Sequence, residues 1–188
     1  KATGYDGLGC TQFETANYDE AALNLRKAVS IEPNNEIMLT NLGNALYQIT
    51  KFDEAQNCFE KAIKINPINQ HAMNGIGICS YQNNDYKSSV EWLEKALKLD
   101  TTTKDINLNL AVSRSHYIKE LRLRNATDSA NVQYNYLQHD MAKYQTGRQD
   151  SSTYLTNMGY IQTVWSHIDS AVLYYNKIIN PYYNMYKL

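Results

Sequence analysis

Proline is scarce in this chain, with three residues in 188, and glycine contributes only eight. So few helix breakers suit a mostly helical chain with few built turns. Cysteine is also rare: Cys10, Cys58 and Cys79 are odd in number and unrelated in spacing. That excludes a disulfide framework and any CxxC metal or redox pair. Buried free thiols are the simpler expectation, and they favour a reducing compartment. A cytoplasmic location follows by default, with a bacterial periplasmic or envelope-facing one as the alternative. No excess of either charge exists, since the net charge is −1 and the isoelectric point about 6.5. Non-specific nucleic-acid binding draws on a basic stripe and is not expected here. No apolar run approaches the roughly 18 residues of a membrane span, and mean hydropathy is −0.55. The chain starts at Lys1 without methionine, signal peptide or transit peptide, and so reads as a segment of a longer protein.

Catalytic constellations are missing too. His71, His116, His139 and His167 show neither HxxxH nor HExxH spacing, and none joins a cysteine in a ligand set. There is no P-loop, dinucleotide glycine loop or GxSxG elbow. "NGIGICS" (Asn74 to Ser80) superficially resembles a glycine loop, but no strand precedes it. The expectation is a protein that is not an enzyme and that holds no cofactor and no metal.

What the chain does have is a repeat. Gly9, Gly43 and Gly77 are spaced by 34, each preceded by a branched apolar residue: Leu8, Leu42 and Ile76. Twelve residues after each glycine stands a small residue (Ala21, Ala55, Ser89), then a large apolar one four later (Leu25, Phe59, Leu93) and an alanine three beyond that. An aromatic precedes the small residue by three (Tyr18, Phe52, Tyr86), and proline closes two of the units at Pro33 and Pro67. Apolar residues Leu39, Leu42, Leu46 and Ile49 recur at helical spacing, and Ala55, Phe59, Ala62 and Ile63 do so again. Between them "TKFDEA" supplies a polar turn in which Thr50 or Asp53 is a candidate cap for the second helix. Glycine inside a helix costs about 1 kcal/mol relative to alanine. Gly43 is therefore expected at a close helix crossing, opposite Ala55.

This skeleton resembles the tetratricopeptide repeat, a 34-residue helix–turn–helix with an L-G … A-x3-F … P pattern. The first aromatic of that pattern is replaced by Tyr5, Leu39 and Met73. The resemblance implies an all-α, right-handed superhelical solenoid of antiparallel helix pairs. A single domain is expected, with regular repeats at 1–35, 36–69 and 70–103, an irregular elongated repeat at 104–150, a further repeat at 151–183 and the start of a sixth. The irregular repeat begins on schedule with Leu110–Ala111 in the Leu–Gly slot, and then the columns fail. Its first helix is expected to run to about Arg124, and a second to cover Asp128 to Tyr144 with Val132, Tyr136, Leu137, Met141 and Tyr144 on one side. "TGRQDSS" (Thr146 to Ser152) reads as a loop. The 12–4–3 ladder then returns from Gly159 with Ala171, Tyr175 and Ile178.

Stacked helix pairs line an inner groove with their first helices. The function implied is a protein–protein interaction scaffold, binding a peptide, helix or partner domain in that groove. The alternative is a structural spacer or an auxiliary domain of a larger assembly. Groove positions follow from the period: Phe13, Tyr47 and Tyr81 in one series, Asp6, Thr40 and Asn74 in another. Asn44 and Ile78 lie beside Cys10, and Gln48 and Gln82 continue from Glu14. Aromatics supply contact area at little entropic cost, and amides satisfy main-chain groups. Related chaperone-binding arrays hold a C-terminal carboxylate with basic residues. The matching positions here are Asp6, Cys10, Asn41, His71 and Gly75, of which only Asn41 fits, and Asp6 repels such a ligand. A second candidate surface is the basic cluster Arg114, Lys119, Arg122 and Arg124, next to the N-x-T sequence at Asn125.

Overall fold

The computed structural model describes residues 1–100 and 103–145. Every regular element among them is an α-helix: α1 Ala2–Glu14, α2 Tyr18–Ile31, α3 Glu36–Gln48, α4 Phe52–Ile65, α5 Gln70–Gln82, α6 Tyr86–Leu99, α7 Lys104–Leu123 and α8 Thr127–Gln145. The loop at Thr146 to Ser152, the repeat built on Gly159 and the start of a sixth lie outside the described residues. Lys1–Asn109 and Leu110–Leu188 form two compact units.

In the first unit each helix packs on its chain neighbour from α1 to α6, and the first helices also touch, α1 on α3 and α3 on α5. Their starts are 34 residues apart, which is the sequence period made solid. Asn35 and Asn69 cap α3 and α5. The Asn35 side chain accepts from the amides of Ile37 and Met38, and that of Asn69 from Ala72. These caps satisfy donors that a helix start leaves without partners. The second helices α2 and α4 end just before Glu32 and Asn66, whose backbones leave the helical region ahead of a proline that disfavours it.

The core is a seam of small and large residues, including Ala21, Leu25, Leu42, Leu46, Ala55, Phe59, Ala72 and Ile76. Gly43 and Ala55 are both buried in it. The reason for the glycine is more specific than a backbone crossing. A Cβ on Gly43 would lie 2.6 Å from Phe59 Cε1, so the glycine makes room for a ring. The same ring reaches the next pair, where a Cβ on Gly75 would lie 2.5 Å from Phe59 Cζ. Phe59 is thus held between two glycines on two successive first helices. Leu25 and Leu93 occupy its position in the flanking pairs, and there the residues equivalent to Gly75 are Asn41 and Asn109.

The turns within pairs are alike. Ala16, Thr50 and Asn84 adopt positive φ of 60°, 61° and 62°. In each turn two amides bond back across the helix end, as Thr50 N to Tyr47 O and Lys51 N to Leu46 O, both at 3.0 Å. Thr50 therefore does not cap α4. Its backbone makes the left-handed bend, and Lys51 holds the cap position without a side-chain bond. Asp53 is no cap either, since its carboxylate accepts from Asn83 Nδ2 at 3.1 Å.

In the second unit α7 ends in the same turn. Asn125 has φ 57°, and Asn125 N and Ala126 N bond to Arg122 O and Leu121 O. Asn125 follows Asn84 by 41 residues, seven more than the period. Ala111, Ile118, Ala130 and Leu137 form the core between α7 and α8. The small–large–apolar ladder thus continues as Ala130, Tyr134 and Leu137, nineteen residues after Ala111 instead of twelve. This corrects the expected face of α8: Leu137 is buried, whereas Val132 and Tyr136 are half-exposed. The inward stripe runs from Ala130 through Tyr134 to Leu137, at the i, i+4, i+7 spacing of one helix face.

Candidate functional site

Phe13, Tyr47 and Tyr81 stand one residue before or at the last position of α1, α3 and α5 and are half-buried. Each ring leans on the first residue of the following second helix: Phe13 on Tyr18 at 5.3 Å between centroids, Tyr47 on Phe52 at 5.4 Å, and Tyr81 on Tyr86 at 5.5 Å. Tilted ring pairs at this distance add stability beyond their buried area. The Tyr47 ring is also tied to the next first helix, because Gln82 Nε2 donates to Tyr47 Oη at 2.9 Å across α5 and α3. Burial pushes the Tyr81 phenol up from its ordinary pKa, with Tyr86 and Tyr47 adding to the effect. The three rings are half-buried, while Gln48 and Gln82 are exposed beside them.

Nearer the starts of the first helices runs a line of amides. Asn41 Nδ2 donates to Asp6 Oδ1 at 3.1 Å and to Cys10 Sγ at 3.4 Å, linking α3 to α1. Asn109 Nδ2 donates to Asn74 Oδ1 at 3.1 Å in the same relation. Gly75, the residue between them in register, has no side chain to donate, and Asn69 Nδ2 bonds Thr40 Oγ1 at 3.2 Å in its stead. Thr40 differs from the other candidates. It is buried, and its hydroxyl donates to Glu36 O at 2.7 Å, so its role is to tie α3 to the start of α5. Asn44 and Ile78 are half-buried. The link through Asn41 and Asn109 was legible only by pairing two columns: asparagine follows where the preceding second helix carries leucine, and glycine where it carries Phe59.

The three thiols are free. Burial raises Cys58 and pushes Cys79 up to about 12. Cys10 is raised first by burial and then by the charges of Asp6 and Glu14.

The basic cluster does not form one surface. Arg114 lies three residues after Ala111 and four before Ile118, on the buried stripe of α7, and is 2% exposed. Its Nη1 donates to Gln133 Oε1 at 3.1 Å, and its guanidinium stands 5.3 Å from the Tyr136 ring centroid. Lys119 and Arg124 are exposed, with Arg124 paired to Glu120 at 2.6 Å, and Arg122 is half-buried at the turn.

Two models described as tetratricopeptide repeat match the sequence, one over residues 2–35 and one over residues 40–102. The chain belongs to the tetratricopeptide-repeat family. Membership supports a role as a protein-interaction scaffold. No curated protein matches it. Among solved structures, a double mutant of MamA RS-1 is 16% identical with a TM-score of 0.73, covering 98% of this chain and 96% of its own. The Sgt2 TPR domain from Aspergillus fumigatus is 22% identical with a TM-score of 0.60, covering 66% and 83%. The first TPR of Spaghetti (RPAP3), bound to the HSP90 peptide SRMEEVD, is 22% identical with a TM-score of 0.58, covering 60% and 90%. These likenesses are of fold. Among the described residues of this tetratricopeptide-repeat chain, no group of His, Cys, Asp or Glu is arranged to hold a metal ion, and no helix is long and apolar enough to cross a membrane.

Proposed function

We propose that this tetratricopeptide-repeat chain is a non-enzymatic scaffold that holds a protein segment against the face made by α1, α3 and α5. Phe13, Tyr47 and Tyr81 supply ring edges for its side chains. Asn44, Asn74, Gln48 and Gln82 supply donors and acceptors for its main chain, and Ile78 an apolar contact. Thr40 acts indirectly by fixing α3 to α5. The observation that carries the reading is the Gln82–Tyr47 bond. It ties the Tyr47 ring to the residue beside Tyr81, and pre-ordered side chains lose little entropy when a partner arrives. Nucleic acid and membrane insertion form no part of the proposal. Neither does a chaperone carboxylate, because Asn41 is engaged by Asp6 and Cys10. The whole chain, 1–188, is proposed to act as one array.

Photo-crosslinking mass spectrometry in the native extract, with photoreactive residues placed at the exposed Glu14, Gln48 and Gln82, tests this, compared with a Tyr47→Ala/Tyr81→Ala background. Crosslinks from α1, α3 and α5 to a partner, lost in the variant while helicity is kept, support the proposal. Absence of such crosslinks refutes it and favours a spacer that leaves this face unused.

A further inference from the structure

The three first helices of the first unit carry no lysine or arginine at all. The second helices α2, α4 and α6, of nearly equal length, carry seven between them. The charged residues of the first helices are Asp6, Glu14 and Glu36, with His71 the single titratable nitrogen. Asp6, Cys10 and Glu14 recur every four residues, one stripe along α1. Both carboxylates act on the Cys10 thiol between them, which places their fields over the same spot. Asp6 spends one acceptor site on Asn41, and a carboxylate has about four. Glu14 is exposed. Glu36, on α3, accepts from Asn66 Nδ2 at 3.3 Å and likewise keeps acceptor sites free.

Resting on the proposed use of this face, we infer that its occupant is a basic peptide segment, with lysine or arginine directed to Asp6 and Glu14. The face offers such a segment two complementary features. The carboxylates pair with its cations, and no cation on α1, α3 or α5 opposes them. The ring edges and faces of Phe13 and Tyr47 accept the stems and charges of long basic side chains. An acidic segment meets only repulsion, and complementarity of this kind selects a partner chiefly by excluding wrong ones. The charge separation between first and second helices also leaves the outer surface mixed in sign, so net charge near zero conceals a one-signed face.

Fluorescence anisotropy on the full chain tests the inference with three labelled peptides of about ten residues, identical except for lysine, glutamine or glutamate at alternate positions. The lysine peptide is expected to bind most tightly and the glutamate peptide not at all. Raising salt from about 50 to about 300 mM should shrink the difference, because exposed pairs are screened. Asp6→Asn with Glu14→Gln should weaken the lysine peptide by about fivefold per carboxylate. Glu20→Gln with Glu60→Gln, on second helices, should leave it unchanged. Equal binding of the glutamine or glutamate peptide overturns the inference, as does equal weakening by the second-helix pair. Should Asp6→Asn reduce helicity, Glu14→Gln alone carries the test. If Tyr47→Ala/Tyr81→Ala abolishes binding while the carboxylate pair has no effect, the charge inference falls and the face remains. If neither pair has an effect, both fall.

Discussion

Gly75→Asn should be costly in this protein and nearly harmless once Phe59 is leucine, although asparagine is what the equivalent positions 41 and 109 already carry. A Cβ on Gly75 falls 2.5 Å from Phe59 Cζ and 2.6 Å from both Cε atoms. The ring has little room to turn away, because Cε1 and Cζ also lie 2.6 and 2.8 Å from where a Cβ on Gly43 would be, packed close against that helix. Overpacking a filled core costs about 1–3 kcal/mol, and asparagine recovers only a few tenths over glycine in helix propensity. The net cost should be about 2 kcal/mol. Phe59→Leu alone leaves a void and should cost about 1–2 kcal/mol on the scale of large-to-small core changes. Independent effects would give about 3–4 kcal/mol for the double variant. Leucine and asparagine hold the equivalent positions in the other two layers, so the double variant should cost about 1–2 kcal/mol and show coupling of about 2 kcal/mol. Urea unfolding followed by far-ultraviolet circular dichroism measures all four proteins. At a slope of about 2 kcal/mol per molar urea, the coupling appears as a midpoint difference of about 1 M. Additive costs within about 0.5 kcal/mol would show that Phe59 does not set the requirement for glycine at 75.

Thr50 holds φ 61° with a β-branched side chain, so Thr50→Gly should relieve left-handed strain and raise stability by about 0.5–1 kcal/mol after its own entropic cost; an unchanged or lower urea midpoint refutes this. Asn69→Ala removes both the α5 cap and the bond to Thr40 and should cost about 1–2 kcal/mol by the same measurement, where a loss under about 0.5 kcal/mol would deny the cap its role. Burial first, and Lys119 second, lower the His116 pKa from 6.5. The folded chain therefore binds that proton less readily than the unfolded one. Stability should fall as pH drops below about 6.5 through the lowered value, and His116→Gln should flatten that slope in urea midpoints taken across the range.

The parts of the fold legible from sequence were those with strong, repeated local causes. Glycine, alanine and proline at fixed offsets set the six helices of the first unit, and the tetratricopeptide-repeat resemblance followed from them. What Gly43 accommodates was less legible. The period marks where a small residue is needed without saying whether a backbone or a ring occupies the space, and it is Phe59 that does. The turn was misread for a related reason. Threonine is a good cap by composition, yet the two amide-to-carbonyl bonds across the helix end already hold the bend, and they put Thr50 in the left-handed region instead. The basic cluster failed because Arg114 was grouped by sequence proximity. Its place three residues from Ala111 and four from Ile118 sets it on the inward stripe, where Gln133 and Tyr136 receive it.

The break in register after residue 101 has a geometric answer. Seven added residues are two helical turns less about 20°, so lengthening α7 by that amount returns its inward stripe to nearly the same direction. Ala111 and Ile118, seven apart, are accordingly both buried, and the turn after α7 repeats the earlier turns at Asn125. An insertion of one or two residues would instead have rotated the helix end by roughly 100° or 200° and turned the stripe away from Ala130 and Leu137. The elongation therefore preserves the packing rule while changing what stands at the end of the first helix. Arg122 occupies the turn position held by Phe13, Tyr47 and Tyr81, its carbonyl accepting the same bond.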